Sequence, residues 1–305
     1  AWANSLFEDN AEFGLGFRLT VDQHRARVMR LLEEFAGQIP AGLNDALHAD
    51  ATPEVRREQV AELRQALQGV AGAEQLLTDA DALVEKSIWL IGGDGWAYDI
   101  GFGGLDHVLS LTENVNILVL DTQCYSNTGG QASKATPLGA VTKFGEHGKR
   151  KARKDLGVSM MMYGHVYVAQ ISLGAQLNQT VKAIQEAEAY PGPSLIIAYS
   201  PCEEHGYDLA LSHDQMRQLT ATGFWPLYRF DPRRADEGKL PLALDSRPPS
   251  DALAETLMQE QRFRRLNAQQ PEVAEQLWKD AAADLQKRYD FLAQLAGKAE
   301  KATND

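Results

Sequence analysis

Residues 87–110 read SIWLIGGDGWAYDIGFGGLDHVLS. A strand-length apolar run, 87–91, is followed by a glycine-rich turn, 92–95, and then by a helix candidate over 99–110. Three further strand-length apolar runs follow, at 115–120, 166–171 and 194–199, with a helix predicted over 175–189. Short strands that alternate with helices are typical of a parallel sheet covered by helices. The sequence therefore predicts an α/β fold with a doubly wound, mostly parallel sheet.

The carboxyl ends of the predicted strands are where chemistry is expected, because ligands of open parallel sheets bind outside these ends. The segments that follow the four strands begin at Gly92, Thr122, Ser172 and Ser200. The first contains Asp94 within a glycine turn, the second is a polar loop, and the fourth contains a cysteine. We therefore look for functional residues in these loops.

Four parts are predicted along the chain, with boundaries where the composition changes. They are an ordered N-terminal segment (1–20), a helical insertion (20–85), an α/β domain (86–235) and a linker with a helical C-terminal tail (236–305). The first helix of the insertion is predicted to start at a capping box formed by Thr20 and Gln23. The chain begins without methionine or a signal peptide, and we expect it to be the C-terminal part of a longer protein.

Composition excludes several classes of protein. The 305 residues carry a formal net charge of −12 at pH 7, which argues against duplex nucleic acid as the main ligand, because phosphate binding requires a basic surface. Apolar runs are too short for a membrane-spanning helix, so no membrane contact is expected. Two cysteines in a chain of this length do not form a disulfide framework, and they predict a reducing compartment, the cytoplasm.

The turn around Asp94 lies between a strand and a helix, where backbone N–H groups favour an anion. It is not a dinucleotide fingerprint, because the sixth position of Gly-x-Gly-x-x-Gly, counted from Gly93, is Tyr98. The Asp94 carboxylate would repel a pyrophosphate unless a cation lies between them, and Mg²⁺ is commonly shared by carboxylates and phosphates. Alternatively, Asp94 only caps the next helix. The loop by itself does not distinguish a metal ligand from a helix cap.

A second polar loop, 122–130, follows the next predicted strand and reads TQCYSNTGG. Twenty-five residues separate Gly95 from Asp121, which suits one βα unit and brings the two loops side by side. The second loop offers a hydroxyl, a carboxamide and backbone carbonyls, which are hard oxygen ligands for Mg²⁺. Asp121 itself resembles the acidic residue that binds the ribose of NAD, so a nucleotide-binding domain remains an alternative.

The spacing of these two loops resembles the thiamine diphosphate motif, which begins here with Gly93-Asp94-Gly95. The usual motif ends in two asparagines, where this chain has Asp121-Thr122. That departure and several surrounding segments are similar to the pyruvate:ferredoxin (flavodoxin) oxidoreductases. The segments are WANSLFED (2–9), DGWAYDIG (94–101), CYSNTGGQ (124–131), KATP (134–137) and PGPS (191–194). The resemblance extends from residue 1 to about residue 235 and is less diagnostic in the tail.

The resemblance implies a set of site residues. Mg²⁺ would be held by the Asp94 carboxylate, the Thr122 hydroxyl and the main-chain carbonyl of Cys124. The cofactor would be lined by Gly93, Asp94, Gly95, Trp96, Thr122, Gln123, Cys124, Tyr125, Ser126 and Asn127. Asn127 would be catalytic, with its carboxamide orienting the substrate beside the thiazolium. Cys202 would be one of four cysteine ligands of a [4Fe–4S] cluster, the other three lying outside this chain.

The resemblance also implies a reaction and its partners. Pyruvate would be oxidatively decarboxylated to acetyl-CoA and CO₂, with coenzyme A as co-substrate and [4Fe–4S] clusters passing electrons to ferredoxin or flavodoxin. The remaining domains of a parent chain and a second subunit, in a homodimer, would complete the enzyme, so this chain alone is expected to be inactive. Two alternatives remain: another 2-oxoacid oxidoreductase that uses thiamine diphosphate, or a non-catalytic nucleotide-binding module.

One dense basic run, KRKARK at 149–154, is not explained by this resemblance. Such runs usually form a solvated surface, and we interpret this one as a solvated loop rather than as a docking site for an acidic electron acceptor. The seven histidines show no i, i+4 pairing of the kind that binds metals, and we interpret them as surface or core residues.

Overall fold

The computed structural model describes residues 10–250 and 252–298. They form two compact units: Gly14–Ile88 is one, and the residues before Gly14 together with those from Trp89 onward are the other. The segment WANSLFED at 2–9, on which part of the resemblance rests, lies outside the described residues. All the predicted site residues belong to the second unit.

The unit Gly14–Ile88 is helical, and its apolar positions pack into one core. Its helices are α1 (Ala11–Glu34, which begins just before the unit), α2 (Ala41–His48), α3 (Pro53–Ala66) and α4 (Glu74–Asp79). Val28 and Leu32 of α1 are fully buried in that core with Leu63 of α3. Thr52 caps α3 by accepting a hydrogen bond from the Val55 N–H, as its position before Pro53 predicts.

The predicted start of the first helix at Thr20 is wrong. Helix α1 begins at Ala11, and Asn10 is the capping residue, because its Oδ1 accepts from the Phe13 N–H at 3.0 Å. The Thr20 hydroxyl instead donates to the Gly16 carbonyl oxygen, 2.7 Å away inside the helix. A threonine with glutamine three residues later therefore does not start a helix here, since the backbone upstream is already helical.

Across the described residues, the sheet has six strands in the order β1-β2-β4-β3-β5-β6. They are β1 (Trp89–Gly93), β2 (Asn116–Asp121), β3 (Tyr167–Ile171), β4 (Ser194–Tyr199), β5 (Tyr228–Phe230) and β6 (Leu242–Leu244). The first four are parallel, which places Gly93 opposite Leu120 and Asp121 opposite Tyr199. The predicted α/β class with a mostly parallel sheet is confirmed.

Two antiparallel strands extend the sheet beyond the part that the sequence predicts. Strand β5 pairs with β3, and β6 pairs with β5, so the predicted linker after residue 236 contributes an edge strand. Each of these strands has three residues, which is too short for an alternating pattern to be recognised. Pairing with a neighbouring strand, rather than local sequence, therefore defines them.

Seven helices of the described residues alternate with the strands or follow them. They are α5 (Phe102–Ser110), α6 (Leu156–Met161), α7 (Leu177–Glu188), α8 (Ser212–Ala221), α9 (Leu253–Leu257), α10 (Gln261–Gln269) and α11 (Pro271–Leu295). Helix α7 packs on β3 and β4, and α11 buries Leu277 and Leu292 of the predicted tail. No helix in the described part of the chain is long and apolar enough to cross a membrane.

Gly157 of α6 lies against β5, where a Cβ would overlap the Tyr228 hydroxyl. We expect Gly157→Ala to lower the free energy of unfolding by about 1–3 kcal/mol, the usual cost of overpacking. Gly103→Ala in α5 is the matched control: its Cβ would meet nothing within 4 Å, and it should raise that free energy by up to about 1 kcal/mol. Urea unfolding measures both, and equal stabilities would contradict the close approach at Gly157.

Candidate functional site

Asp94 lies directly after β1, where the chain enters a π-helix over Gly95–Ile100. The residue is 2% exposed. Its Oδ1 accepts from Thr122 Oγ1 at 2.9 Å, and its Oδ2 accepts from the Ser133 hydroxyl. Its side chain makes no capping bond to the helix that follows. Helix capping therefore does not explain this aspartate.

Three oxygen atoms of the predicted metal site converge. Thr122 Oγ1 lies 2.9 Å from Asp94 Oδ1 and 3.0 Å from the carbonyl oxygen of Cys124. Neighbouring ligands of an octahedral Mg²⁺ at about 2.1 Å would be about 3.0 Å apart, which matches this spacing. Thr122 has a single hydroxyl proton and can donate it to one of these two acceptors. A cation between the three oxygens would satisfy all of them, so the residues present fit Mg²⁺.

The electrostatics of Asp94 lead to the same conclusion. Burial raises the pKa of Asp94 to about 6, and the negative charge of Asp121 adds to the shift. The hydrogen bonds from Ser133 and Thr122 lower the pKa, but both donors are neutral hydroxyls. An ionised carboxylate in such surroundings is costly unless a positive charge compensates it. A bound cation would provide that compensation.

Asp121, the last residue of β2, is fully buried and already has its partners. Its Oδ2 accepts from the Tyr98 hydroxyl at 2.7 Å and pairs with Arg153 at 2.5 Å, while its Oδ1 accepts from the Gln123 N–H at 3.1 Å. The Arg153 guanidinium also lies over the Trp225 ring, 4.8 Å from its centre. Because both carboxylate oxygens are engaged, Asp121 is poorly placed to bind the ribose of a nucleotide.

The basic run at 149–154 is only in part the solvated loop that we predicted, because residues 150–152 are exposed but Lys149 and Arg153 contact the interior. The Arg153 side chain is 14% exposed and pairs with a buried carboxylate. The Lys149 ammonium donates to the carbonyl oxygens of Ser133 and Thr136, at 2.9 and 2.6 Å. A run of like charges conceals such contacts, because the sequence does not show which of its side chains meet buried acceptors. Lys149 and Arg153 therefore support the loops of the site, whereas residues 150–152 face solvent.

Gln123 connects the second loop to the C-terminal tail. Its backbone is left-handed, with φ of 62°, and its side chain is fully buried. Arg262 of α10 donates to Gln123 Oε1 at 2.7 Å and pairs through Nε with the buried Glu260 at 2.6 Å. Sequence analysis missed Arg262, because 139 residues separate it from Gln123 and no local motif joins them. Since its carboxamide faces Arg262, Gln123 offers the site its backbone rather than its side chain.

Neighbouring aromatic rings explain why two positions of the first loop are occupied by glycine. A Cβ at Gly95 would overlap the Tyr125 ring, and a Cβ at Gly92 would overlap the Trp96 ring. A Cβ at Gly93, by contrast, would meet nothing within 4 Å. The rings thus occupy the space beside two of the glycines, and the backbone at Gly93 stays open to a ligand.

Ser126 brings the two cysteines of the chain together. Its hydroxyl oxygen lies 3.2 Å from Cys202 Sγ and 3.8 Å from Cys124 Sγ, and it donates to Thr122 Oγ1 at 2.8 Å. Burial raises the pKa of the Cys124 thiol to about 12, and the neighbouring Cys202 adds to the shift. The Cys124 thiol is therefore neutral at pH 7, which suits a residue that contributes its carbonyl oxygen.

His205 holds the backbone of Thr122 from the loop that follows β4. Burial lowers the pKa of His205 to about 4, so the ring is neutral at pH 7. Its Nε2 lies 2.7 Å from the Thr122 carbonyl oxygen and therefore carries the proton, since that oxygen can only accept. Its Nδ1 is then the acceptor for the Tyr199 hydroxyl at 3.3 Å. This histidine is therefore a core residue.

Asn127 and Cys202 complete the predicted set. Asn127 lies in the 3₁₀ turn Ser126–Thr128 and is exposed, whereas Cys202 follows β4 and is 8% exposed. Within residues 10–250 and 252–298, no group of three or more His, Cys, Asp or Glu side chains could hold a metal ion. A cluster at Cys202 would therefore need thiolates from outside these residues.

Comparisons with known proteins point to one kind of enzyme. Residues 60–198, which contain both loops, match the family model described as "Thiamine pyrophosphate enzyme, C-terminal TPP binding domain". The chain is 90% identical over 305 residues to an Escherichia coli protein named "Probable pyruvate-flavodoxin oxidoreductase"; the match covers 100% of the chain and 26% of that protein.

Two more distant relatives agree. The chain is 52% identical over 309 residues to the pyruvate-flavodoxin oxidoreductase of Rhodospirillum rubrum, covering 99% of the chain and 26% of that protein. It is 47% identical over 310 residues to the pyruvate:ferredoxin oxidoreductase of Moorella thermoacetica, covering 97% of the chain and 26% of that protein. The chain thus spans about a quarter of the length of the curated relatives that it matches.

Proposed function

We propose that this chain holds thiamine diphosphate through Mg²⁺. Its residues 60–198 match the C-terminal TPP-binding domain of the thiamine pyrophosphate enzymes, and the whole chain is similar to part of a pyruvate-flavodoxin oxidoreductase. The observation that carries the proposal is the convergence of Asp94, Thr122 and Cys124. The Thr122 hydroxyl oxygen lies about one octahedral edge from an Asp94 carboxylate oxygen and from the Cys124 carbonyl oxygen. The diphosphate (pyrophosphate) of the cofactor would supply further oxygens to the same ion.

The rest of the cofactor would lie along the two loops. The open backbone at Gly93 would approach it closely, with Gly95, Trp96 and Tyr125 shaping the first loop around it. When bound, thiamine diphosphate supplies the chemistry that decarboxylates a 2-oxoacid, and the residues of this chain bind it and orient the substrate. Asn127 has the exposed carboxamide needed to hold a substrate oxygen in place without itself titrating.

We assign Cys202 as a ligand of a [4Fe–4S] cluster. Its Sγ lies 3.2 Å from Ser126 Oγ, in the loop proposed to line the cofactor, so a cluster there would be close to the reacting group. Such a cluster requires four thiolates, and the remaining three would come from other domains of the parent chain. This arrangement would let electrons leave the cofactor over a short path.

For the whole enzyme, we propose oxidative decarboxylation of pyruvate to acetyl-CoA and CO₂. Coenzyme A would accept the acetyl group, and clusters would pass the electrons to flavodoxin or ferredoxin. The names of the relatives support this reaction. We further propose that the enzyme is a cytoplasmic homodimer and that this chain is inactive when it is separated from the rest of the enzyme. Another 2-oxoacid is the competing substrate, and parallel assays of the parent enzyme with pyruvate and 2-oxoglutarate would separate the two.

A thermal melt of the full-length parent protein tests cofactor binding. A ligand of the native state at 100 times its Kd adds about 2.7 kcal/mol of stability, so thiamine diphosphate should raise the Tm when Mg²⁺ is present, by about 1 °C for a protein about four times the length of this chain. EDTA should abolish that increase. NAD is the control for the nucleotide-binding alternative, and an increase with NAD alone would contradict the proposal, as would a metal-independent response to thiamine diphosphate.

A further inference from the structure

Two buried side chains beside the second loop keep hydrogen-bond donors without a partner. Arg262 is 5% exposed, and Gln123 is fully buried. Within residues 10–250 and 252–298, neither Arg262 Nη1 nor Gln123 Nε2 has an acceptor. Donors that are left unpaired at this depth are rare in folded proteins, because each loses its hydrogen bonds to water without replacing them. Such groups point to an acceptor that comes from outside these residues.

The hydrogen bond between these two residues fixes which of their atoms are left over. Arg262 Nη2 donates to Gln123 Oε1 at 2.7 Å, and since a guanidinium can only donate, the carboxamide oxygen must face it. The NH₂ group of Gln123 is therefore the free end of the carboxamide. Arg262 Nε pairs with Glu260 at 2.6 Å, which leaves Nη1 as the free end of the guanidinium. Both free ends are donors, so only an acceptor can satisfy them.

Arg262 and Gln123 line the same polar pocket, which has a volume of about 110 Å³ and is called here the Arg262 pocket. A buried water needs only about 10–15 Å³ of such a cavity, so a group of several atoms fits. Cys124 also lines the pocket, whereas Asp94 and Thr122 do not, so it lies beside the proposed metal site rather than within it. Exposed side chains form its rim: Lys143, Glu203, Glu204, Gln261 and Arg265.

The charges favour an anion on the buried side of the Arg262 pocket. Glu260, the counter-ion of Arg262, has both carboxylate oxygens engaged, one by Arg262 and one by Gln215, and it does not line the pocket. The pocket therefore meets the positive end of this buried ion pair. The rim has two basic and two acidic side chains, which balance in number and are exposed to water and to screening by salt. The buried guanidinium consequently decides the preference.

We propose that the Arg262 pocket binds a compact oxyanion, a phosphate or a small carboxylate, which accepts hydrogen bonds from Arg262 Nη1 and Gln123 Nε2. Guanidinium N–H groups suit the oxygens of both kinds of anion, and a buried charge-assisted hydrogen bond is stronger than one in water. Such binding needs neither thiamine diphosphate nor Mg²⁺, since no oxygen of Asp94 or Thr122 takes part. The pocket is thus a second ligand site beside the proposed cofactor loop.

Isothermal titration of the full-length parent enzyme with sodium phosphate and with sodium acetate tests the pocket. The protein is first freed of Mg²⁺ with EDTA, which is then dialysed away, so that no metal draws phosphate to Asp94. We expect saturable binding of at least one of the two anions, and the stronger of the two identifies the preferred oxyanion. Sodium chloride at the same ionic strength is the control. Binding of neither phosphate nor acetate would overturn the proposal.

Gln123→Glu places the binding at this pocket. It replaces the free NH₂ donor by a carboxylate oxygen, while the other oxygen can still accept from Arg262, so the affinity for the anion should fall at least about ten-fold. Gln185→Glu on α7 is the matched control, because it adds the same charge at an exposed position and should leave the affinity unchanged. Circular dichroism checks that both variants are folded. Wild-type affinity in Gln123→Glu, or an equal loss in Gln185→Glu, would overturn the proposal.

The rim tests the sign of the ligand's charge with substitutions at exposed positions, where the fold is not at risk. Glu204→Gln removes a negative charge and should strengthen anion binding, whereas Arg265→Gln should weaken it, each by roughly two- to five-fold. A cation in the pocket would reverse both signs. Reversed signs, or wild-type affinity in both variants, would overturn the assignment of an oxyanion.

Discussion

Asp94→Asn in the full-length parent enzyme is expected to abolish the Mg²⁺-dependent binding of thiamine diphosphate and to lower pyruvate oxidation by more than about 100-fold. Removing a group that only supports a metal ligand already costs about 10–100-fold, and Asp94 is proposed as the ligand itself. The amide can still accept from Thr122 and can hydrogen-bond Ser133, so the loop should keep its shape. Isothermal titration with thiamine diphosphate and a pyruvate assay measure the two effects.

The same substitution should weaken cofactor binding but should not lower the stability of the metal-free protein. A buried carboxylate without a cation carries a desolvation cost that an amide avoids, so the metal-free variant should melt at or above the wild-type temperature. Asp106→Asn on α5 is the control, because its carboxylate pairs with the Tyr163 hydroxyl away from the loops. Undiminished cofactor affinity in Asp94→Asn would contradict the assignment of Asp94 as the ligand.

Arg153→Met is expected to cause the largest loss of stability of the substitutions considered. It leaves Asp121 buried without its counter-charge, and removing one partner of a buried ion pair typically costs about 3–5 kcal/mol. For a chain of 305 residues, with an unfolding entropy of about 2.1 cal/mol/K per residue, each kcal/mol lowers the Tm by roughly 1.6 °C. Thermal unfolding should therefore show a decrease of roughly 5–8 °C.

A double substitution distinguishes the charge from the packing. Asp121→Asn combined with Arg153→Met removes both charges, and it should recover much of the lost stability, because no unpaired charge remains buried. Arg150→Met, three residues earlier in the same basic run, is exposed and should change the free energy of unfolding by less than about 0.5 kcal/mol. A decrease in Arg153→Met no larger than in Arg150→Met would show that the pair with Asp121 is unimportant.

The α/β class and the approach of the two site loops follow from local sequence. The strand, glycine turn and helix around Asp94 are set by hydrophobic spacing and by glycine, both of which act within a few residues. Parallel pairing of β1 with β2 then brings Asp94 and Thr122 to the same edge of the sheet, and Thr122 Oγ1 lies 2.9 Å from the Asp94 carboxylate. The resemblance to thiamine diphosphate enzymes arises from these same residues.

Other features depend on contacts between residues that are distant in sequence. The Arg153 guanidinium pairs with Asp121 over 32 residues, and Arg262 reaches Gln123 over 139. Strand β6 exists because β5 lies beside it, since three residues carry no pattern of their own. In each case the sequence shows the residue type and not its partner.

The sequence by itself therefore determined the class of the fold, the order of the strand–helix units along the chain and the residues that we propose to bind a metal and a diphosphate. Those properties depend on the spacing of hydrophobic residues within each segment and on glycines, whose backbone can adopt the conformations that tight turns require. Tertiary structure alone decided that Arg153 of the basic run pairs with the buried Asp121 and that Arg262 of the tail supports the second loop. The physical reason is that burial and charge pairing depend on which segments the folded chain brings together.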